Sequence, residues 1–210
     1  MLKPDYEQIL INNENYDLVV GIDEVGRGPW AGPMYMCSFV YKSNYPIILD
    51  VNDSKKLSIK KRQRVFSELK NFEHELVIMQ AEEIDKIGLG PAVSNSLIKL
   101  ISNVSQRYPQ KRIKFLVDGY MTIESESFDI EFVKKGDGKY YSIAAASVIA
   151  KVERDNAMIN LGKQYPAYGF EKHVGYGTKN HQLALEQFGP IQKIHRFSFA
   201  PIKKYKILNK

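Results

Sequence analysis

Residues 18–33 read LVVGIDEVGRGPWAGP. Leu18–Ile22 is a short, largely β-branched run with the pattern of a buried strand. It stops at Asp23 and Glu24, which are followed by Gly26, Gly28 and Gly32. Met34–Tyr41 is a second apolar run and reads as the next strand. Paired acids directly after a buried strand are costly to desolvate, which argues against ordinary loop residues. The glycines form a G-x-G-x-x-x-G pattern, a loose relative of the dinucleotide fingerprint. Two features oppose that reading. Pro33 would interrupt the helix that must receive a pyrophosphate, and a strand follows instead. Asp23 and Glu24 would also meet the phosphates with like charge.

Downstream, DVNDSKKLS (50–58) leads into a helix over Ser58–Lys70, with Ser58 as N-cap. Glu75–Gln80 reads as a third strand. GLGP (88–91) places Pro91 at a first helical position. Val93, Leu97, Ile98, Leu100, Ile101 and Val104 then fall on one face of a helix. Arg112–Val117 is a buried strand that delivers Asp118 at its end. Ile130–Val133 is another, and Asp137 follows in KKGDGKYY (134–141). A long helix begins at Ser142, rich in small residues at its start and so able to approach a sheet closely. The order β-β-α-β-α-β-β-α predicts an α/β fold, a mixed sheet with helices on its faces. Residues 1–165 are expected to form the catalytic core. Residues 166–210 are expected to form a basic, loop-rich and helical extension packed on it.

The chain has 210 residues and a net charge of +6, unevenly placed. From Lys151 onward there are 11 Lys/Arg against 4 Asp/Glu, whereas the first 150 residues hold 19 against 20. The positive field therefore sits in the last third, which suits a polyanionic partner. Cys37 is the single cysteine, so an internal disulfide and a thiolate zinc site are excluded. It lies in an apolar run and is expected to be a packing residue. Met1–Asn15 is polar and unlike a secretory signal, and no apolar stretch approaches the ~20 residues of a membrane span. A cytoplasmic protein with no membrane partner is expected.

Four carboxylates sit where the chain changes direction: Asp23, Glu24, Asp118 and Asp137. If the strands before Asp23 and Asp118 pair in parallel, three of the four acids share one rim. Such a group repels itself unless cations neutralise it. All-oxygen ligands select hard divalent ions, Mg²⁺ or Mn²⁺. Two such ions roughly 3.5–4 Å apart can activate water and stabilise a leaving oxygen in phosphodiester hydrolysis. Taken singly, Asp118 or Asp137 reads by default as an ordinary loop acid. His173, His181 and His195 read as scattered surface histidines rather than a general base.

GIDEVGRGPWAGP, DSKKLS, VDGY, KKGDGKYYSIAAASVIAKVERD and YPAYGFEKHVGYGT occur in the order seen in bacterial ribonuclease HII. The chain resembles that family from about Val19 to HRFSFAP. The related HIII type has a different glycine motif and an extra N-terminal domain. The resemblance implies a ribonuclease H-like fold with Asp23, Glu24, Asp118 and Asp137 as catalytic, metal-holding acids. It implies that Gly26–Arg27–Gly28 reads a ribose 2′-OH by backbone approach and that Tyr176 is its partner at the ribonucleotide–deoxyribonucleotide junction. Lys55 and Lys56 resemble phosphate-contacting lysines, without indicating which reaches the scissile region. Trp30 stands where leucine or valine is commoner and is expected to be a packing piece. The implied activity is cleavage of the RNA strand of RNA–DNA hybrids and of duplex DNA on the 5′ side of a single embedded ribonucleotide. The ends left would be 3′-hydroxyl and 5′-phosphate, and a monomer is expected. A non-catalytic binding module would be expected to lack one or more acids. A general DNA nuclease or resolvase would share the acids without needing Gly26–Arg27–Gly28 and Tyr176. A phosphate-ester metabolic enzyme is disfavoured by the basic final third.

Overall fold

The computed structural model describes residues 2–120 and 127–205. Its first elements are α1 (Asp5–Asn13), β1 (Leu18–Val25), β2 (Met34–Tyr41), α2 (Ile59–Leu69) and β3 (His74–Met79). Then come α3 (Ala81–Ile87), α4 (Leu89–Arg107), β4 (Ile113–Asp118), β5 (Asp129–Val133) and α5 (Tyr141–Gln164). The last are the short α6 (Phe170–His173), α7 (Lys179–Phe188) and the short α8 (Ala200–Lys203). Contacts divide the chain into two compact units. The first is Met1–Val25, Met36–Val77 and Ser94–Val152, and the second is Gly26–Tyr35, Ile78–Val93 and Glu153–Lys210.

The first unit carries a mixed five-stranded sheet in the order β3-β2-β1-β4-β5. β1 and β4 pair in parallel from Leu18↔Ile113 to Ile22↔Val117, and β5 lies parallel to β4. Every residue of β2 is buried, as a continuous apolar run leads one to expect of an inner strand. Small residues do bring the start of α5 against the sheet: a Cβ on Gly21 would stand 2.1 Å from the Ser142 carbonyl carbon. The start of α5 is also capped from a distance. Buried Glu7 accepts hydrogen bonds from the Ser142 amide and hydroxyl, both at 2.7 Å, a carboxylate at the positive end of a helix.

Several elements depart from the sequence reading. β1 runs on through Asp23 and Glu24 to Val25, so the first acids sit on the strand itself. α1 was not foreseen, because most of its residues are polar and its anchor, Glu7, is an acid. α3 was missed too, although Gln80 and Glu83 form a capping box at its start. In α4, Ile98 is 45% exposed while Val93, Leu97, Leu100, Ile101 and Val104 are buried. At 100° per residue Ile98 is carried off that face, and buried Ser96 extends it on the other side. Ser58 caps α2 as expected, accepting from the Lys61 amide at 3.3 Å, and Cys37 is buried. No helix among the described residues is long and apolar enough to cross a membrane.

The second unit packs Ala31, Met158, Tyr168, Phe170, Ala184, Leu185 and Ile202 into its own core, with Trp30 against it. Trp30 is the expected packing piece: its ring lies so close to Gly177 that a Cβ there would meet it at 2.1 Å. The three histidines are not on the surface. His173, His181 and His195 are buried, because protein partners satisfy both ring nitrogens of each. Arg154 and Arg196 are also fully buried, so two of the cations in the basic third do not face solvent. Lys206 and Lys210, counted in that third, lie outside the described residues.

Burial pushes the His181 imidazole down to about 4 and that of His195 to about 3. Both stay neutral in the fold, while the unfolded chain takes up protons below about pH 6.5. Stability is therefore full above that pH and falls as pH drops towards 4. Urea unfolding should show a lower midpoint at pH 5.0 than at 7.5, with a smaller pH-dependent loss in His181→Asn. An equal loss in parent and variant would contradict the assignment.

Candidate active site

The parallel register of β1 and β4 explains how acids far apart in sequence meet. Ile22 pairs with Val117, so the residues that follow them, Asp23 and Asp118, emerge at the same rim of neighbouring strands. β5 pairs Val133 with Asp118 and leads into a 3-10 turn, Gly136–Gly138, that presents Asp137. The Gly136 amide donates to Asp118 Oδ1 at 2.6 Å, tying that turn to the strand end. Carboxylate oxygens of Asp23, Asp118 and Asp137 thereby lie within 4.8 Å of one another. Glu24 is next to this cluster but not within it. Its amide donates to Asp23 Oδ1 at 2.7 Å.

The electrostatics of the cluster follow from burial and like charge. Burial drives the Asp23 carboxyl well above the ordinary carboxylate range, and the charges of Glu24 and Asp118 add to the shift. The Ser147 hydroxyl and the Glu24 amide oppose it by hydrogen bonding. Asp137 is also raised, first by burial and then by Asp53 and Asp118. Asp53 is hydrogen-bonded to Asp137 and is a fifth acid that the sequence reading passed over. Its signal in the sequence is its place at the head of the same DSKKLS segment that carries the two lysines. Ser147, which also bonds the Ser54 hydroxyl at 3.0 Å, had no such signal among the small residues of α5.

The two lysines are now distinguishable. Burial lowers the Lys55 pKa, but Asp137, Asp23, Asp53 and Asp118 together outweigh it and raise the group above its usual value. Lys55 thus lies in the field of the cluster. Lys56 is 64% exposed and stands 3.7 Å from Asp53.

The donor set fits a hard divalent cation. Two oxygens on one octahedral Mg²⁺ stand roughly 3 Å apart when adjacent and roughly 4 Å when opposite. Three aspartate oxygens inside the 4.8 Å envelope meet that spacing with small adjustments. Asp23, Asp118 and Asp137 would hold the ion, with Glu24 beside them.

Gly26, Arg27, Gly28 and Tyr176 belong to the second unit. Two backbone bonds from the Trp30 and Ala31 amides to the Gly175 carbonyl, at 2.8 and 3.3 Å, clamp the glycine loop to the Tyr176 loop. Tyr176 is 47% exposed, and a Cβ built on Gly28 would lie 3.6 Å from its Cε1. The two glycines differ in kind. Gly26 has φ +92° and a Cβ there would strike Arg154 Nε at 2.2 Å, so the fold demands glycine. At Gly28 an alanine would fit the fold but would fill space beside Tyr176.

Comparison with known proteins points to one family. The family model described as Ribonuclease HII matches residues 20–202. A protein named ribonuclease HII from Fusobacterium nucleatum is 40% identical over 185 residues, covering 88% of this chain and 86% of its own length. One of the same name from Staphylococcus aureus is 42% identical over 198 residues, covering 93% of this chain and 74% of its own. The crystal structure of ribonuclease H2 from Pyrococcus horikoshii OT3 superposes with a TM-score of 0.71 at 25% identity, covering 89% and 96% of the two chains.

If the acids form a cation site, Mg²⁺ or Mn²⁺ at about 100 times its dissociation constant should stabilise the fold by about 2.7 kcal/mol. For a chain of this size that raises the melting midpoint by roughly 5–10 °C. Asp23→Asn and Asp118→Asn should each lose most of this shift. Both should melt in chelator at or above the parent midpoint, because each removes like-charge repulsion. A full ion-induced shift in both variants would remove these acids from the site.

Proposed function

The chain belongs to the ribonuclease HII family of endoribonucleases, which act on RNA–DNA hybrids. From the geometry of its acids and of its glycine loop we propose that it also cuts duplex DNA on the 5′ side of a single embedded ribonucleotide. The observation that carries this reading is the exposed Gly28, where an added Cβ would meet only the Tyr176 ring, at 3.6 Å from Cε1. A ribose 2′-OH is the group that separates RNA from DNA at such a site. Arg27 contributes through its backbone.

Asp23, Glu24, Asp118 and Asp137 would hold Mg²⁺ or Mn²⁺, two ions during turnover. Bound there, the ions supply a water nucleophile at neutral pH and offset charge on the phosphate and leaving oxygen. The chain's own residues do the positioning. Ser147 and the Glu24 amide fix the Asp23 carboxylate, the Gly136 amide fixes Asp118, and Asp53 fixes Asp137. Lys55, held in the field of these acids, is the lysine proposed to meet a substrate phosphate. Lys56, paired with Asp53, is assigned the outer role. Hydrolysis breaks the P–O3′ bond before the ribonucleotide, leaving a 3′-hydroxyl and a 5′-phosphate. The exposed lysines of the last third supply the field for the duplex. A monomer acting in the cytoplasm is sufficient for all of this.

The direct test is a duplex with one ribonucleotide among deoxyribonucleotides, with the product ends mapped. One cut 5′ of the ribonucleotide is expected, and none when that sugar is 2′-deoxy or 2′-O-methyl. Comparable cutting of all-DNA duplex would instead favour a general DNA nuclease. Asp23→Asn and Asp118→Asn should abolish turnover. Gly28→Ala should remain folded, yet lose at least about tenfold in kcat/KM, which is about 1.4 kcal/mol of transition-state stabilisation. Arg27→Ala should lose less. Tyr176→Phe separates the two uses of the ring, a small loss favouring stacking on the sugar and a large one the hydroxyl's hydrogen bond.

Salt dependence tests the basic third. Each phosphate neutralised contributes a slope of about −0.9 in log K against log salt. Charge reversal at Lys172, Lys179 and Lys193 should flatten the slope, and an unchanged slope would place the duplex elsewhere.

A further inference from the structure

We propose that the dipeptide His195–Arg196 is a two-armed positioning element that sets both halves of the ribose-reading site. This inference rests on the reading of Gly26–Arg27–Gly28 and Tyr176 given above. The dipeptide is itself anchored beside the glycine loop. His195 forms a bridge with Ala31, the Arg196 amide donates to the Trp30 carbonyl at 2.8 Å, and the Gly32 amide donates to the Ile194 carbonyl at 2.8 Å.

The first arm is the Arg196 guanidinium, which is fully buried. It donates through Nη2 to the Gly26 carbonyl at 2.6 Å and through Nη1 to the Arg27 carbonyl at 2.9 Å. Nε and Nη2 also donate to the Gly32 carbonyl, at 3.1 and 2.9 Å. In a planar trans peptide the carbonyl and the next amide point opposite ways. Turning the Gly26 and Arg27 carbonyls towards the cation therefore turns the Arg27 and Gly28 amides away from it. The buried charge also polarises those peptides, which strengthens their amides as donors. A neutral side chain would fix the loop without that second effect.

The second arm is a directed chain of imidazoles. The Ile191 amide donates to His195 Nδ1 at 2.8 Å, which leaves the proton on His195 Nε2. That proton points to His181 Nε2 at 3.0 Å, so His181 must carry its own proton on Nδ1. His181 Nδ1 then donates to the Tyr176 carbonyl at 3.0 Å. On its other side the Tyr176 amide donates to the His173 carbonyl at 2.9 Å. The His173 ring stacks on His181 with centroids 4.6 Å apart, holding its plane. Tyr176 is thus fixed at both backbone groups while its ring remains exposed. One backbone donor, the Ile191 amide, sets the direction of the whole chain.

The test compares His181→Asn, His181→Gln and Arg196→Lys with the parent on the single-ribonucleotide duplex, below each melting midpoint. Asparagine offers an amide donor near the Nδ1 position and keeps the bond to Tyr176; glutamine reaches the Nε2 position and loses it. His181→Asn should stay within about threefold of parental kcat/KM while His181→Gln falls at least tenfold, even where the two melt alike. Arg196→Lys keeps the charge but not the fork, and should also fall at least tenfold. If Arg196→Lys does not fold, its arm is read by amide hydrogen exchange in Asp118→Asn. The Arg27 and Gly28 amides should then gain protection from the ribonucleotide duplex and not from the all-DNA duplex. Activity that follows stability alone, with the two His181 variants equal, overturns the imidazole arm. Parental kcat/KM in a folded Arg196→Lys, or equal protection by both duplexes, overturns the guanidinium arm. A parent enzyme that does not distinguish ribose from deoxyribose overturns the underlying reading instead.

Discussion

The parallel register of β1 against β4 is the constraint from which the acidic cluster follows. Adjacent strands lie about 4.8 Å apart, so residues one step beyond the Ile22↔Val117 pair must confront each other. Here both are aspartates. Two unit charges at such a distance repel by on the order of 3 kcal/mol at an effective dielectric of about 20, and Asp137 brings a third. The fold accepts this only where protons or cations neutralise the group, and the raised Asp23 and Asp137 carboxyls show the first of these alternatives. The same repulsion would favour a hard divalent ion among these acids.

On the proposed function the second unit would have a different task. A ribose hydroxyl offers no net charge to attract, so it would have to be read by position. The chain supplies rigidity from within: two buried arginines bonded to backbone carbonyls and a run of neutral imidazoles with fixed proton positions. Arg154 complements Arg196 by donating to the Pro33 and Val174 carbonyls, at 2.8 and 3.0 Å. Burying two guanidiniums costs free energy, as the depression of the Arg196 pKa to about 10, chiefly by burial, indicates. Each buried donor that finds a carbonyl offsets part of that cost.

The sheet and its acids were legible because their signals are local. A β-branched run ending in Asp23–Glu24, a buried strand ending at Asp118 and a serine cap at Ser58 each show in a few consecutive residues. The supports were not legible. Glu7 caps a helix 135 residues away, and Arg196 bonds a carbonyl 170 residues away. No short pattern announces such pairs. Histidines and arginines read as surface residues by default, and only a three-dimensional partner reveals that His181 and Arg196 are satisfied inside. Asp53 was legible in principle, but its lysine neighbours gave the segment a simpler explanation.

If Gly26–Arg27–Gly28 and Tyr176 read the ribose as proposed, sugar discrimination is made in binding and is separable from hydrolysis at the acids. The most direct measurement is equilibrium binding by Asp118→Asn, which should not cut, of two duplexes that differ by one 2′-hydroxyl. Tighter binding of the ribonucleotide duplex, by a factor that Gly28→Ala abolishes, is the predicted result. Equal affinity for the two duplexes would contradict it and would place discrimination in the chemical step.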